Sequence, residues 1–232
     1  MIQGKTVLAI MPARGGSKGI PKKNVKLLVG KPLIAWTIEE AKKSKYVDRL
    51  ILSSEDDEII KVAEEWGCEA PFVRPPELAK DDTPGIDPVL HALNTLKEKY
   101  DYVVLLQPTS PLRSASDIDH CIEACVSSGA SSCVSVTEVS ENPQWMYTVD
   151  AAGRLFSFIE QTDKNYRRQD LPRFYILNGA VYVSETGILK KSRSFITAAT
   201  KAYDMPKERS LDIDDDMDFK FAEFVLAEKS FV

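Results

Sequence analysis

The chain has 232 residues, 44% of them hydrophobic and 28% charged, which is long enough to bury a core without disulfide staples. That balance excludes a disordered chain, a collagen and a coiled-coil rod, and a net charge of −5 gives no overall attraction to nucleic acid or an anionic membrane. Any phosphate must therefore be met by a local basic cluster.

The first half of the chain repeats a short apolar run, a turn and a helix-length amphipathic stretch, the rhythm of βαβ units around a parallel sheet. Strands are predicted at Thr6–Met11, Arg49–Ser53, Ala70–Val73 and Tyr102–Leu106. The last reads YVVLL, a continuous apolar run suited to a strand covered on both faces. Helices are predicted between them at Pro32–Ser44, Glu55–Trp66 and Asp87–Lys99, with apolar residues at helical spacing. A further helix (Ser114–Ser128) and strand (Ser131–Thr137) follow. From Glu138 to Arg173 the sequence turns polar, aromatic and basic without a strong period, and reads as an inserted β-rich arm on a single domain spanning 1–232. The sheet pattern returns at Asn178–Val183, and an acidic run, Asp212–Asp218, leads into a last helix at Phe219–Lys229.

No apolar run approaches the ~18 residues of a membrane span, and the apolar stretch Val7–Met11 is too short for a signal-peptide core. The expected location is the cytoplasm. Cys68, Cys121, Cys125 and Cys133 lack a CxxC spacing and only His91 and His120 could assist them, so the thiols are expected to be reduced and mostly buried. Both histidines sit in amphipathic helical patterns, as packing or surface residues.

The loop after the first strand, PARGGSKGIPKKN, places one Arg, three Lys and three Gly at the carboxyl end of a buried strand, where open α/β sheets bind ligands. Glycines there let backbone N–H groups approach a polyphosphate, and the cations neutralise it. The loop is neither a Walker A sequence nor GxGxxG. Gly15-Gly16-Ser17-Lys18-Gly19 does match the GxSxG nucleophile elbow of hydrolases. An elbow needs a strand running straight in and a helix straight out, whereas Pro12 precedes this turn and Pro21 with two lysines follows it. A triad would also need a late histidine, and the last is His120.

In Asp212-Ile213-Asp214 the alternation of an extended segment points two carboxylates to one side, a geometry for a hard cation such as Mg²⁺. Asp215, Asp216 and Asp218 instead read as caps on the helix that follows. A basic glycine loop and a distant acidic pair are complementary halves of a nucleotidyl-transfer site.

Six segments, PARGGSKGIPKKN, RPPELA, LLQPTSPLR, RRQDLP, NGAVY and LDID, occur in an order that resembles the acylneuraminate cytidylyltransferases, the CMP-sialic acid synthetase family. The resemblance covers almost the whole chain. It implies a mostly parallel, Rossmann-like α/β sheet of the nucleotide-diphospho-sugar transferase type, with a small β-rich dimerisation insertion at 138–173. It also implies CTP, a nonulosonic acid and Mg²⁺, with no nucleic-acid or membrane partner, and a homodimer in which the arm of one subunit approaches the other's sugar site.

By the same resemblance, Arg14, Lys23 and Asn24, with backbone around Ala13 and Gly15, hold the cytidine nucleotide and its phosphates. Lys18 reaches the triphosphate and Arg74 also serves the nucleotide. Gln107, Arg168 and Asn178 surround the sugar acid, and Asp212 with Asp214 hold the metal. Arg14, Lys18 and Asp214 are the expected catalytic groups. N-acetylneuraminic acid is the first expectation for the sugar and a legionaminic-type diacetamido acid the second, because Thr83–Asp87 and Asn142–Trp145 depart from the sialic-acid pattern.

Overall fold

The computed structural model of the chain describes residues 1–159 and 171–229. Strand β1 (Val7–Pro12) leads through the basic loop and a 3₁₀ turn at Lys23–Val25 into a two-residue hairpin, β2 (Leu27–Leu28) and β3 (Lys31–Pro32), and helix α1 (Leu33–Lys43). Then come β4 (Arg49–Ser53), α2 (Asp57–Glu65), α3 (Asp87–Thr95), β5 (Tyr102–Leu105), α4 (Ala115–Ser127) and β6 (Ser132–Glu138). The remainder is the short strands β7 (Tyr147–Val149) and β8 (Leu155–Ser157), the long β9 (Tyr175–Glu185), α5 (Thr186–Ser192), β10 (Thr200–Asp204) and α6 (Asp216–Lys229).

Six strands form the central sheet in the order β10-β6-β9-β5-β1-β4. The pairings β1–β4, β1–β5 and β6–β10 are parallel, while β9 runs antiparallel to both its neighbours. On β1 the side-chain period of two separates the core: Val7, Ala9 and Met11 face α1, α2 and α4, while Leu8 and Ile10 face α3 and α5. A third apolar cluster seats α6 on Ile20, Leu28, Leu33 and Leu112. The four cysteines are buried and unpaired, and burial pushes the thiols of Cys68 and Cys125 up to about 12.

Three predicted elements differ. Ala70–Val73 is not a strand, since the chain makes a single parallel bridge from Glu69 to Ile51 and then leaves. Pro71 has no N–H to extend a ladder, and Val73 is 62% exposed. The helix from Asp87 stops at Thr95, because the apolar spacing gives way to Lys97-Glu98-Lys99. The strand expected at Asn178–Val183 is longer, and its first three residues, Tyr175, Ile176 and Leu177, are all exposed to solvent, so no alternation of buried and exposed positions announces them. Strand β10 and helix α5 were not anticipated; β10 is polar and half exposed.

Candidate active site

The site lies at the carboxyl ends of β1, β4 and β5. The N–H of Ala13 is bonded to the carbonyl of Ser53 (3.1 Å), and the Asn24 carboxamide donates to the carbonyl of Arg14 (3.0 Å). Lys22 stands in the left-handed region (φ 53°), an uncommon conformation for a side chain of this kind, and its carbonyl caps the 3₁₀ turn that presents Lys23 and Asn24.

Behind the loop, the Glu55 carboxylate accepts from the Gly15 N–H (2.8 Å) and from the Arg74 guanidinium (2.5 Å). Arg74 is buried, also reaches the Ala13 carbonyl (3.3 Å), and has an Nε–H without a partner. An unpaired buried donor on a cleft wall is a position for an acceptor from a ligand. A side chain on Gly15 would collide with the Asp56 carboxylate and displace it from its place capping α2.

In front of the loop, Arg14 and Lys18 both grip Asp81, each at 2.8 Å. The bond from Lys18, then that from Arg14, holds the Asp81 carboxyl below the usual carboxylate range.

The acidic segment is docked onto the same loop. The Lys23 ammonium donates to the Ile213 carbonyl (2.7 Å), Lys26 pairs with Asp216 (3.2 Å), and the Ile213 N–H is held by the Thr109 carbonyl (2.8 Å). A methyl group on Gly19 would strike the carbonyl oxygen of Asp214. Asp215 and Asp218 form the reciprocal cap expected of α6: Asp215 accepts from the Asp218 N–H, and Asp218 accepts from the N–H groups of Asp214 and Asp215. Asp214 is thereby left exposed on the cleft, while Asp212 is half buried with its Oδ1 unpaired. Burial raises the Asp212 carboxyl above the ordinary range, and the nearby charge of Asp214 adds to the rise.

These groups enclose a cleft of about 500 Å³ walled by Ala13, Arg14, Lys18, Asn24, Arg74, Gln107 and Asp214. A second cleft of about 590 Å³ lies at the other end of β5, and there Lys5 and Asp101 are paired with each other.

The cleft thus brings together Ala13, Arg14, Lys18, Lys23, Asn24, Arg74, Gln107 and Asp214. Three expected residues stand apart from its walls. The Gly15 N–H is occupied by Glu55. Asp212 lies against Gly179, where an added Cβ would come within 2.9 Å of Gln107 Oε1 and 3.1 Å of Asp212 Oδ2; at φ +73° only glycine suits that junction. Asn178 is buried with its carboxamide saturated: Oδ1 accepts from Ser135 (2.6 Å) and Ala180 N–H (3.2 Å), and Nδ2 donates to Ser210 (3.0 Å). Arg168 lies outside the described residues.

Sequence reasoning overlooked Glu55, Asp81 and the conformational demand at Gly179. Arg113, quoted only as part of a motif, is 2% exposed, and its guanidinium donates to the carbonyls of Gln107 (3.1 Å) and Ala180 (2.9 Å) and to the Thr37 hydroxyl (2.6 Å). Burial pushes its pKa down to about 10, so it stays charged at neutral pH. His91 is packed edge-on against Phe72, and His120 lies beside Tyr203.

A glycine loop dense in cations, an orphan arginine donor and an acidic segment seated on one cleft define a nucleotidyltransferase of the α/β class. The chain belongs to the cytidylyltransferase family, whose sequence profile matches residues 8–223. It is 35% identical over 221 residues to the CMP-N,N'-diacetyllegionaminic acid synthase of Legionella pneumophila, covering 94% of each chain. It is 38% identical over 214 residues to the N-acylneuraminate cytidylyltransferase of Streptococcus agalactiae, covering 91% of this chain but only 51% of that longer protein. A pseudaminic acid cytidylyltransferase of Campylobacter jejuni is 33% identical, with 94% and 95% of the two chains covered. Among solved structures, a CMP:2-keto-3-deoxy-manno-octonic acid synthetase complexed with CTP superposes with a TM-score of 0.71 at 16% identity, over 97% of this chain and 99% of that one, a likeness of fold. The protein is a CTP-dependent nucleotidyltransferase, and the GxSxG hydrolase reading of its loop is set aside.

Proposed function

We propose that the enzyme condenses CTP with a nonulosonic acid to give a CMP-sugar and pyrophosphate, with the triphosphate lying over the Arg14–Lys18 loop. The observation that carries this reading is the convergence of Arg14, Lys18, Arg74 and Asp214 on one cleft. The anomeric hydroxyl of the sugar attacks the α-phosphorus, the new P–O bond forms as the bond to pyrophosphate breaks, and the hydroxyl proton is released. Little covalent chemistry is asked of the chain; Arg14 and Lys18 neutralise and orient the phosphates, and Asn24 fixes the loop that carries them.

A divalent cation, for which we propose Mg²⁺, suits the acidic segment. Among the described residues no cluster of three or more His, Cys, Asp or Glu side chains could enclose a metal alone. Two carboxylates completed by substrate phosphates are the usual ligand set for Mg²⁺, and the unpaired buried Oδ1 of Asp212 is the kind of hard oxygen it takes. Asp212 and Asp214 would hold the ion, which when bound supplies charge neutralisation on the phosphates.

For the sugar, we favour N-acetylneuraminic acid, with Gln107 at the cleft wall and Arg168 as the carboxylate fork. A legionaminic-type diacetamido acid is the second reading, favoured by the end-to-end match to the Legionella relative. The expected setting is the cytoplasm, and the expected assembly a homodimer through 138–173. Pyrophosphate release should require CTP, Mg²⁺ and a nonulosonic acid; efficient turnover with UTP, or a preference for eight-carbon Kdo, would overturn the assignment. Loss of turnover in Asp214→Asn at saturating Mg²⁺, with the fold kept, is the matching test of the metal site.

A further inference from the structure

Two carboxylates of the chain itself bond to the Arg14–Lys18 stretch that would receive the triphosphate, and they differ in kind. Glu55 is largely buried behind the loop, bonded to the Gly15 N–H and to the buried Arg74, and belongs to the scaffold. Asp81 is half exposed in front of it, on the segment after the 3₁₀ turn Pro76–Ala79, and its two oxygens are divided between Arg14 and Lys18. The Arg14 guanidinium is steadied further by the Ala79 carbonyl of the same segment (3.4 Å). Lys80, Asp81, Thr83 and Gly85 all border the cleft, so this segment forms one of its walls.

Building on the CTP reading above, we propose that Asp81 is a displaceable internal anion. In the nucleotide-free protein it holds the Arg14 and Lys18 cations at one point, and phosphate oxygens of the nucleotide take its place. Three facts support exchange over permanent structure. Both cations lose only an exposed ion pair when they let go, a contact of small worth in water. A triphosphate offers each of them more charge and more acceptor oxygens than one carboxylate. The carboxylate is also tethered to a cleft wall, so its departure would free the segment bearing Thr83 and Gly85 to settle around the nucleotide. Asp81 thus sets nucleotide affinity, as a positioning residue acting through Arg14 and Lys18.

The test compares equilibrium CTP binding, and KM against kcat, for the wild type, Asp81→Asn and Asp82→Asn. Asp82→Asn removes the same charge from the same exposed stretch without touching the clamp, so it reports plain repulsion of the nucleotide. The expected result is CTP binding about three- to tenfold tighter in Asp81→Asn, a smaller gain in Asp82→Asn, and a change in KM for CTP larger than that in kcat. Without nucleotide, tryptic cleavage after Arg14 and Lys18 should be faster in Asp81→Asn than in the wild type, and CTP should remove the difference. Equal affinity in the two variants, or weaker binding in Asp81→Asn, would overturn the proposal. Should Asp81→Asn not fold, Asp81→Ser is read the same way. A wild type that binds no CTP would instead sink the nucleotide assignment on which the proposal stands.

Discussion

The α-carbon of Gly19 lies so close to the carbonyl oxygen of Asp214 that no side chain fits between them, although the two residues are far apart in sequence. This contact, with the bond from Lys23 to Ile213, fixes the acidic segment to the phosphate loop. Gly19→Ala should push the two halves of the site apart by a fraction of an ångström or more. Because misplacement on the scale of an ångström costs roughly a hundredfold in rate, kcat should fall by about that factor while circular dichroism and Tm stay close to the wild type. A variant with wild-type kcat would show that the two halves need not be locked.

Asp212 is held half buried with an unpaired oxygen, so its ionised form is a burden on the folded protein without metal. The carboxyl is raised above its ordinary range in the native state by burial, so as pH rises through that range the unfolded chain ionises first and native stability declines. Asp212→Asn should therefore be inactive yet melt at a higher temperature than the wild type at pH 7. That gain should shrink as pH is lowered into the carboxylate range, where both forms are neutral. Thermal melts at several pH values decide it; a lower Tm at pH 7 would mean that Asp212 contributes a bond the fold depends on.

Arg113 ties the end of β5 to β9 at the two carbonyls flanking the Gln107–Gly179 junction. Replacing it with Met keeps volume but takes this donor from the Ala180 carbonyl and leaves the Gln107 carbonyl only the longer bonds from the Thr37 hydroxyl (3.4 Å) and the Ser110 N–H (3.5 Å). Unpaired buried acceptors cost about 1–3 kcal/mol each, partly offset by no longer burying a charge, so a net loss of about 2 kcal/mol is expected in urea unfolding. On the proposed sugar role of Gln107, the sugar KM should rise more than the CTP KM, because Gln107 and not the phosphate loop depends on this tie. Equal effects on both substrates would make Arg113 a general brace.

What the sequence disclosed follows from where its physics is local. The buried strands Val7–Pro12 and Tyr102–Leu105 were legible because a strand covered on both faces must be continuously apolar. The basic loop was legible because cations and glycines do not otherwise gather at a strand end. The roles of Glu55 and Asp81 were hidden because a carboxylate declares its partner only after the chain returns, 40 residues on for the Gly15–Glu55 bond. Asn178 illustrates the converse: the family resemblance implies a sugar contact, while the fold saturates its carboxamide among Ser135, Ala180 and Ser210. The antiparallel course of β9 was equally hidden, since NGAVYV reads the same in either direction of pairing.

The hairpin of β7 and β8 turns tightly at Asp150, whose Oδ1 accepts from the N–H groups of Ala152 and Arg154, yet it shelters almost none of its apolar side chains. Leu155 is 65% and Phe158 67% exposed, and Val149, Phe156, Ile176 and Leu177 are exposed beside them. A largely apolar groove of about 680 Å³ between Met146, Ile176, Leu211 and Phe221 connects this patch to the outer stripe of α6, where Phe224 is 65% exposed. Helix α6 therefore carries two apolar faces, of which Phe219, Ala222 and Leu226 occupy one in the core. A contiguous surface of this kind is rare on a monomer, and a two-fold contact with a second copy is the commonest way to cover it. Sedimentation should give a dimer at micromolar concentration, and Leu155→Asp with Phe156→Asp should give a folded monomer. If the arm of one subunit completes the sugar site of the other, the monomer should lose roughly tenfold or more in kcat/KM for the sugar while binding CTP as before. A wild-type monomer with full activity would sink the prediction, and an active double mutant would confine the arm to assembly alone.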